Sequence, residues 1–125
     1  MKKIITTDKA PRAIATYSQA VEVNGMLFIA GQIPIDPATG KLVEGGIREQ
    51  TEQVLKNIWE ILTAAGYTFQ DVVKSTCLLT DMNLYADMNA VYATFYYENS
   101  PARAAFAVSG LPMGALIEIE TIACR

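Results

Sequence analysis

The chain is predicted to adopt an α+β fold, a single mixed β-sheet of about six strands with two helices on one face. Three observations lead there. Two stretches, one opening at Ile47 and one at Leu84, repeat their apolar residues at helical spacing. Short β-prone runs surround them, at residues 4–5, 19–23, 26–30, 72–79, 104–108 and 117–123. The resulting order, β-β-β-α-β-α-β-β, has no linker, repeat or low-complexity tract, so residues 1–125 are expected to form one domain. With 51% hydrophobic and 18% charged residues, the chain is too apolar for disorder.

The first hairpin rests on Asn24-Gly25, a pair that tolerates the positive φ of a two-residue turn. Residues 31–46 read as a loop, punctuated by Pro34, Asp36-Pro37, Gly40 and Gly45-Gly46. The first helix carries Ile47, Val54, Leu55, Ile58, Ile61, Leu62 and Ala65 on one stripe, with Trp59 at its edge as a packing residue. Arg48, Glu49, Glu52, Gln53, Lys56 and Glu60 form its wet side, and Gly66 stands where a C′ glycine belongs. Asp81-Met82-Asn83 offers caps for the second helix, whose apolar face is Leu84, Met88, Val91, Tyr92 and Phe95. Asn99-Ser100-Pro101 ends it, and residues 110–114 turn the chain into the last strand. Two helices cover only one face of such a sheet. The other face, with the apolar run 104–108, is expected to be buried between subunits.

Composition removes several function classes. The net charge is −3 and the basic residues are scattered, so nucleic acid is not an expected partner. There is no histidine, which removes the usual general base near neutral pH and the usual metal ligand, so no metal and no cofactor are expected. Cys77 and Cys124 belong to no C-x-x-C pair and read as small buried hydrophobes. No signal peptide or membrane span fits the N-terminus, so a cytoplasmic address and no membrane partner are expected. Gly45-Gly46 lacks the Lys-Ser/Thr of a phosphate loop. Glu44, Glu49 and Glu52 read as the acidic bias of a helix start rather than a metal cluster.

Two features could carry chemistry. Arg103, in Pro101-Ala102-Arg103, stands just before the apolar run, and a guanidinium can grip a carboxylate bidentately where Lys cannot. On the residues alone, a solvated or salt-bridged Arg is the simpler reading. Glu118 and Glu120, in Ile117-Glu118-Ile119-Glu120, fall on one strand face, about 6.5–7 Å apart. A half-exposed strand has that pattern anyway; the functional alternative is a carboxylate that handles water or a proton.

Several separated segments together resemble the RidA/YjgF proteins. Residues 31–40, Gly-Gln-Ile-Pro-Ile-Asp-Pro-Ala-Thr-Gly, are similar to a GQIP-x-(D/N)P-x-TG segment of that family. Pro101-Ala102-Arg103, Leu111-Pro112 and Ile117-Glu118-Ile119-Glu120 resemble its PAR, LP and (I/V)E(I/V)E end. Ala10-Pro11, Tyr17 and the stretch from Asn83 to Tyr92 fit in order, so the likeness spans essentially the whole chain.

The resemblance implies a chorismate-mutase-like homotrimer, with sheets inside, helices outside and a cleft between each pair of subunits. It implies hydrolytic deamination of enamine and imine products of PLP-dependent dehydratases, 2-iminobutanoate and 2-iminopropanoate, to 2-oxo acids and ammonia. Arg103 matches the family arginine that holds the substrate carboxylate, and Glu118 the glutamate that positions water. Tyr17 and Asn89 match positions near the cleft, and Gly31 and the Ala105 N–H match main-chain contacts. Two departures stand out: Ala30 replaces a common Ser or Thr, and Ala105 a common Cys, which excludes a cysteine mechanism at that position. The proposed chemistry needs only orientation, a carboxylate anchor and one water. The rival functions are a ribonuclease or translation inhibitor, which the acidic balance opposes, and a protein that binds small carboxylates or acts like a chaperone without turnover.

Overall fold

In the computed structural model, which describes residues Met1–Arg125, eight strands and two α-helices follow one another. They are β1 (Lys3–Ile5), β2 (Ala20–Val23), β3 (Met26–Gln32), β4 (Ile35–Asp36), β5 (Lys41–Leu42), α1 (Ile47–Ala65), β6 (Val72–Leu79), α2 (Tyr85–Phe95), β7 (Ala102–Ala107) and β8 (Ile117–Cys124). Six strands form one sheet in the order β1-β2-β3-β8-β6-β7. Only the β6–β7 pair is parallel, so the sheet is mixed, with β7 at its edge.

Local chemistry explains the boundaries. Asn24 and Gly25 take φ of 51° and 77°, the two positive angles of a tight hairpin turn between β2 and β3. At the start of α1 the Gly46 N–H donates to Glu49 Oε1 at 2.8 Å. At its end Gly66 adopts φ 82°, and the Tyr67 N–H closes back on the Leu62 carbonyl at 2.8 Å. The predicted stripe of α1 is buried from Ile47 to Leu62, and the helix covers β3 and β8. Trp59 lies at the helix surface, its ring stacked on Phe69 with centroids 5.5 Å apart.

Side-chain alternation separates two faces. Leu27, Ile29, Cys77, Leu79, Ile117 and Ile119 are buried beneath the helices, in one cluster with Met88 and Tyr92 of α2. The registers put Ile4, Val21, Phe28, Ile122, Leu78 and Phe106 on the opposite face. No element of the chain covers that face, where Ile4, Phe28 and Phe106 remain 49%, 41% and 48% exposed.

Four details differ from the sequence expectation. The expected loop 31–46 holds the end of β3 and the small β4–β5 hairpin, closed by the Gly40 N–H on the Asp36 carbonyl at 2.8 Å. Helix α2 begins one residue later than expected, because Asp81 caps a preceding 3₁₀ turn by accepting from the Asn83 N–H at 2.7 Å. Strand β7 begins at Ala102, which places Arg103 inside the strand. Cys124, expected to be buried, is exposed at the end of β8, whereas Cys77 is buried. No helix is long and apolar enough to cross a membrane.

Candidate active site

Arg103 pairs in register with Ser75, a residue of the helix-covered face, so its side chain points beneath α2. There Nη1 donates to Asn89 Oδ1 at 2.8 Å and Nη2 donates to the Tyr85 hydroxyl. The guanidinium carbon also lies 4.8 Å from the Tyr92 ring centroid and 5.3 Å from that of Tyr85. Burial pushes the Tyr92 hydroxyl above its ordinary pKa, so it stays a neutral phenol at physiological pH. The chain's two ion pairs, Arg48–Asp87 and Lys56–Glu52, do not involve Arg103. Its charge thus has no acidic partner, and guanidinium N–H groups remain for a bidentate grip. Together with Asn89 and Tyr92, Arg103 lines a cleft of about 410 Å³.

Ala105 stands two residues further along the same edge strand. The Val108 N–H points inward to the Leu79 carbonyl, so strand alternation aims the Ala105 N–H at the open edge. Cys77, paired with Ala105 on the inner strand, is no nucleophile: burial pushes its thiol up to about 11, against the opposing influence of Arg103.

Glu118 lies elsewhere. It pairs with Leu78, so it projects from the uncovered face, opposite to Arg103. The β3–β8 register slips between Ile29 and Gln32, and Gly31 sits in that irregular stretch. A Cβ on Gly31 would collide with Glu118 Oε2, so the bare glycine makes the space that the carboxylate occupies. Partial burial, and secondly the nearby charge of Glu120, hold the Glu118 carboxyl above its ordinary range. Glu118, Gly31 and Tyr17 line a second cleft of about 440 Å³, walled by apolar residues that include Ile35 and Met113. Met113 there adopts φ 58°, an uncommon angle for a residue with a side chain.

The six residues singled out in the sequence thus fall into two groups: Arg103, Asn89 and Ala105 at the β7 edge, and Glu118, Gly31 and Tyr17 on the other face. Within one chain they do not share a cleft. Sequence reasoning missed the buried amides that shape the Glu118 cleft. Gln19 Nε2 donates to the Pro11 carbonyl at 2.7 Å and its Oε1 accepts from the Thr7 N–H at 2.7 Å, pinning the segment that carries Tyr17. Asn57 Nδ2 donates to the Ile33 and Ile35 carbonyls, and Gln50 Oε1 accepts from the Leu116 N–H at 2.8 Å. A polar residue interrupting the apolar stripe of α1 was the available signal. Nothing in the sequence signals that Tyr85 and Tyr92 meet the Arg103 guanidinium.

Comparison with known proteins shows what the whole chain is similar to. The family model described as Endoribonuclease L-PSP matches residues 7–125. A RutC family protein of Pyrococcus horikoshii is 57% identical over 100% of this chain and 99% of its own length. A mouse protein named 2-iminobutanoate/2-iminopropanoate deaminase is 50% identical over 100% of this chain and 93% of its own. The solved structure of a Rid-family protein of unknown function from Yersinia pestis superposes with a TM-score of 0.96 at 48% identity, covering 100% of both chains.

Proposed function

Because the chain belongs to the Endoribonuclease L-PSP family, the RidA/YjgF proteins, we propose that it hydrolyses 2-imino acids such as 2-iminobutanoate and 2-iminopropanoate to 2-oxo acids and ammonia. The observation that carries this reading is Arg103: a cation held in place by α2, without an acidic partner, beside an outward N–H at Ala105. That pair suits a substrate carrying a carboxylate and an adjacent polar group. Glu118, with its raised affinity for a proton and its place in an apolar cleft, suits a group that orients water and takes its proton.

The two groups lie on opposite faces of one sheet, so a working site requires a second copy. The uncovered apolar face and the open β7 edge supply surfaces for one. We take the assembly to be a homotrimer in which the Arg103 edge of one subunit meets the Glu118 cleft of the next. Water then adds to the imine carbon of R–C(=NH)–COO⁻, giving a carbinolamine. The nitrogen takes up a proton, the C–N bond breaks with its electron pair leaving on nitrogen, and the hydroxyl loses its proton. The products are R–CO–COO⁻ and ammonia.

A threonine dehydratase, its amino acid and a nucleophilic scavenger of the imine test this directly. The protein should shorten the imine's lifetime and reduce scavenger adduct in proportion to its concentration. No effect at a molar excess over the dehydratase would sink the reading, and sedimentation of a stable monomer at micromolar concentration would remove the shared cleft.

A further inference from the structure

Among the residues lining the Glu118 cleft, only two carry charge: Glu118 itself and Arg12. Arg12 is exposed, and neither ion pair of the chain involves it. Asp8, which shares an adjoining hollow with Arg12, lies beyond ion-pair distance. The backbone beside Arg12 is not loose, since the Pro11 carbonyl accepts from the buried Gln19 side chain at 2.7 Å. The rest of the cleft wall is mostly apolar, with Ile14, Ile33, Ile35 and Met113 among its members. Its volume of about 440 Å³ leaves space beyond the short side chain of a four-carbon imino acid.

An apolar trough with a cation at its rim favours a ligand whose chain is aliphatic and whose far end is anionic. An anion close to Glu118 would be repelled, so the negative group must be distal to the reacting carbon. We propose that Arg12 selects dicarboxylic 2-imino acids, those whose side chain ends in a second carboxylate, such as the imine of glutamate. This rests on the deaminase reading: Arg103 takes the carboxylate next to the imine carbon, the hydrolysis is the one written above, and Arg12 meets the distal carboxylate.

The experiment compares 2-iminoglutarate with 2-iminobutanoate, each generated by an amino-acid oxidase of suitable specificity and read by scavenger competition. The quantity is the ratio of the two kcat/KM values, which a partly unfolded preparation leaves unaltered. Because Arg12 is exposed and solvent screens it, the ratio should fall by only about five- to tenfold in Arg12→Gln, and further in Arg12→Glu. Added salt should lower it in the wild-type protein but not in Arg12→Gln. A ratio that neither substitution moves overturns the proposal. So does hydrolysis of 2-iminobutanoate with none of 2-iminoglutarate, a result that leaves the deaminase reading standing. Hydrolysis of neither imine overturns both.

Discussion

The Arg103 edge and the Glu118 cleft are built by opposite means. Around Arg103 everything is regular: a residue inside β7, reached by Tyr85, Asn89 and Tyr92 from successive turns of α2. Around Glu118 the backbone is irregular: a register slip at Gly31, a positive φ at Met113, and a long segment before β2 held by one buried glutamine. Three amides, Gln19, Gln50 and Asn57, bind those segments to the regular frame. Arg103, the proposed anchor, is thus fixed by secondary structure itself, whereas Glu118, the proposed base, depends on special positions and polar staples. The cost falls on the same side. Arg103 is stabilised by its neighbours, while Glu118 is held where ionisation is disfavoured.

The sharpest way to break this contrast is Glu118→Gln. Turnover should fall by about 100-fold or more, the range of a lost general base. Stability should move the other way. A raised folded pKa means that the native state binds the proton more tightly than the unfolded chain does. Ionising Glu118 therefore lowers stability as pH rises from the ordinary carboxylate range through the raised value, and that loss is complete above it. The Gln variant should melt no lower than wild type at pH 7, with its advantage vanishing in acid. A clearly lower melting temperature at pH 7 would make Glu118 a structural residue instead.

Arg103→Lys probes the other side. Lysine keeps the charge but not the planar fork, and misplacing the substrate by about 1 Å can cost on the order of 100-fold in rate. The expected product is an assembled protein with little activity, judged by sedimentation and turnover on the same sample. Full activity in an intact Lys variant would reduce Arg103 to a point charge. Tyr85→Phe is gentler. It keeps the ring against the guanidinium and removes only the hydroxyl that accepts from Nη2. Loss of one such bond should raise KM about fivefold, with a smaller change in kcat. An effect confined to kcat would show that Tyr85 bears on the reacting atoms rather than on the anchor.

The same contrast explains what was legible in the sequence. Helical periodicity located α1 to within its capping glycines, and Asn24-Gly25 located the first hairpin, because local propensity and tertiary burial agree there. The chain motifs picked out Arg103 and Glu118 together. Their separation was not legible, since it depends on β7 lying parallel beside β6 and β8 lying antiparallel on the other flank, a pairing that no single strand encodes. Starting β7 two residues early would by itself have revealed that Arg103 is a strand residue with a defined face. The β4–β5 hairpin and the amide staples escaped for a related reason. Two-residue strands lack a period, and Gln50 and Asn57 interrupt the apolar stripe of α1 without revealing which loops they hold.

The smallest expected effect belongs to Glu120→Gln. Glu120 is exposed, two residues beyond Glu118 on the same strand face, and its charge is the lesser of the two influences that raise the Glu118 carboxyl. Removing it takes away a like charge and leaves the burial unchanged. If the ionised carboxylate is the working form, activity rises with pH through the Glu118 pKa, and the substitution should move that acid limb of kcat/KM to lower pH. Solvent screens the interaction, so the displacement should be less than about one pH unit and should shrink further in salt. Above the limb the variant and the wild type should coincide, which separates this effect from a general loss of activity. A limb that stays put would leave the elevation of Glu118 to burial alone. A limb that moves upward would mean that Glu120 helps to hold Glu118 ionised, and the assignment of Glu118 as a base disfavoured by its neighbour would have to be reversed.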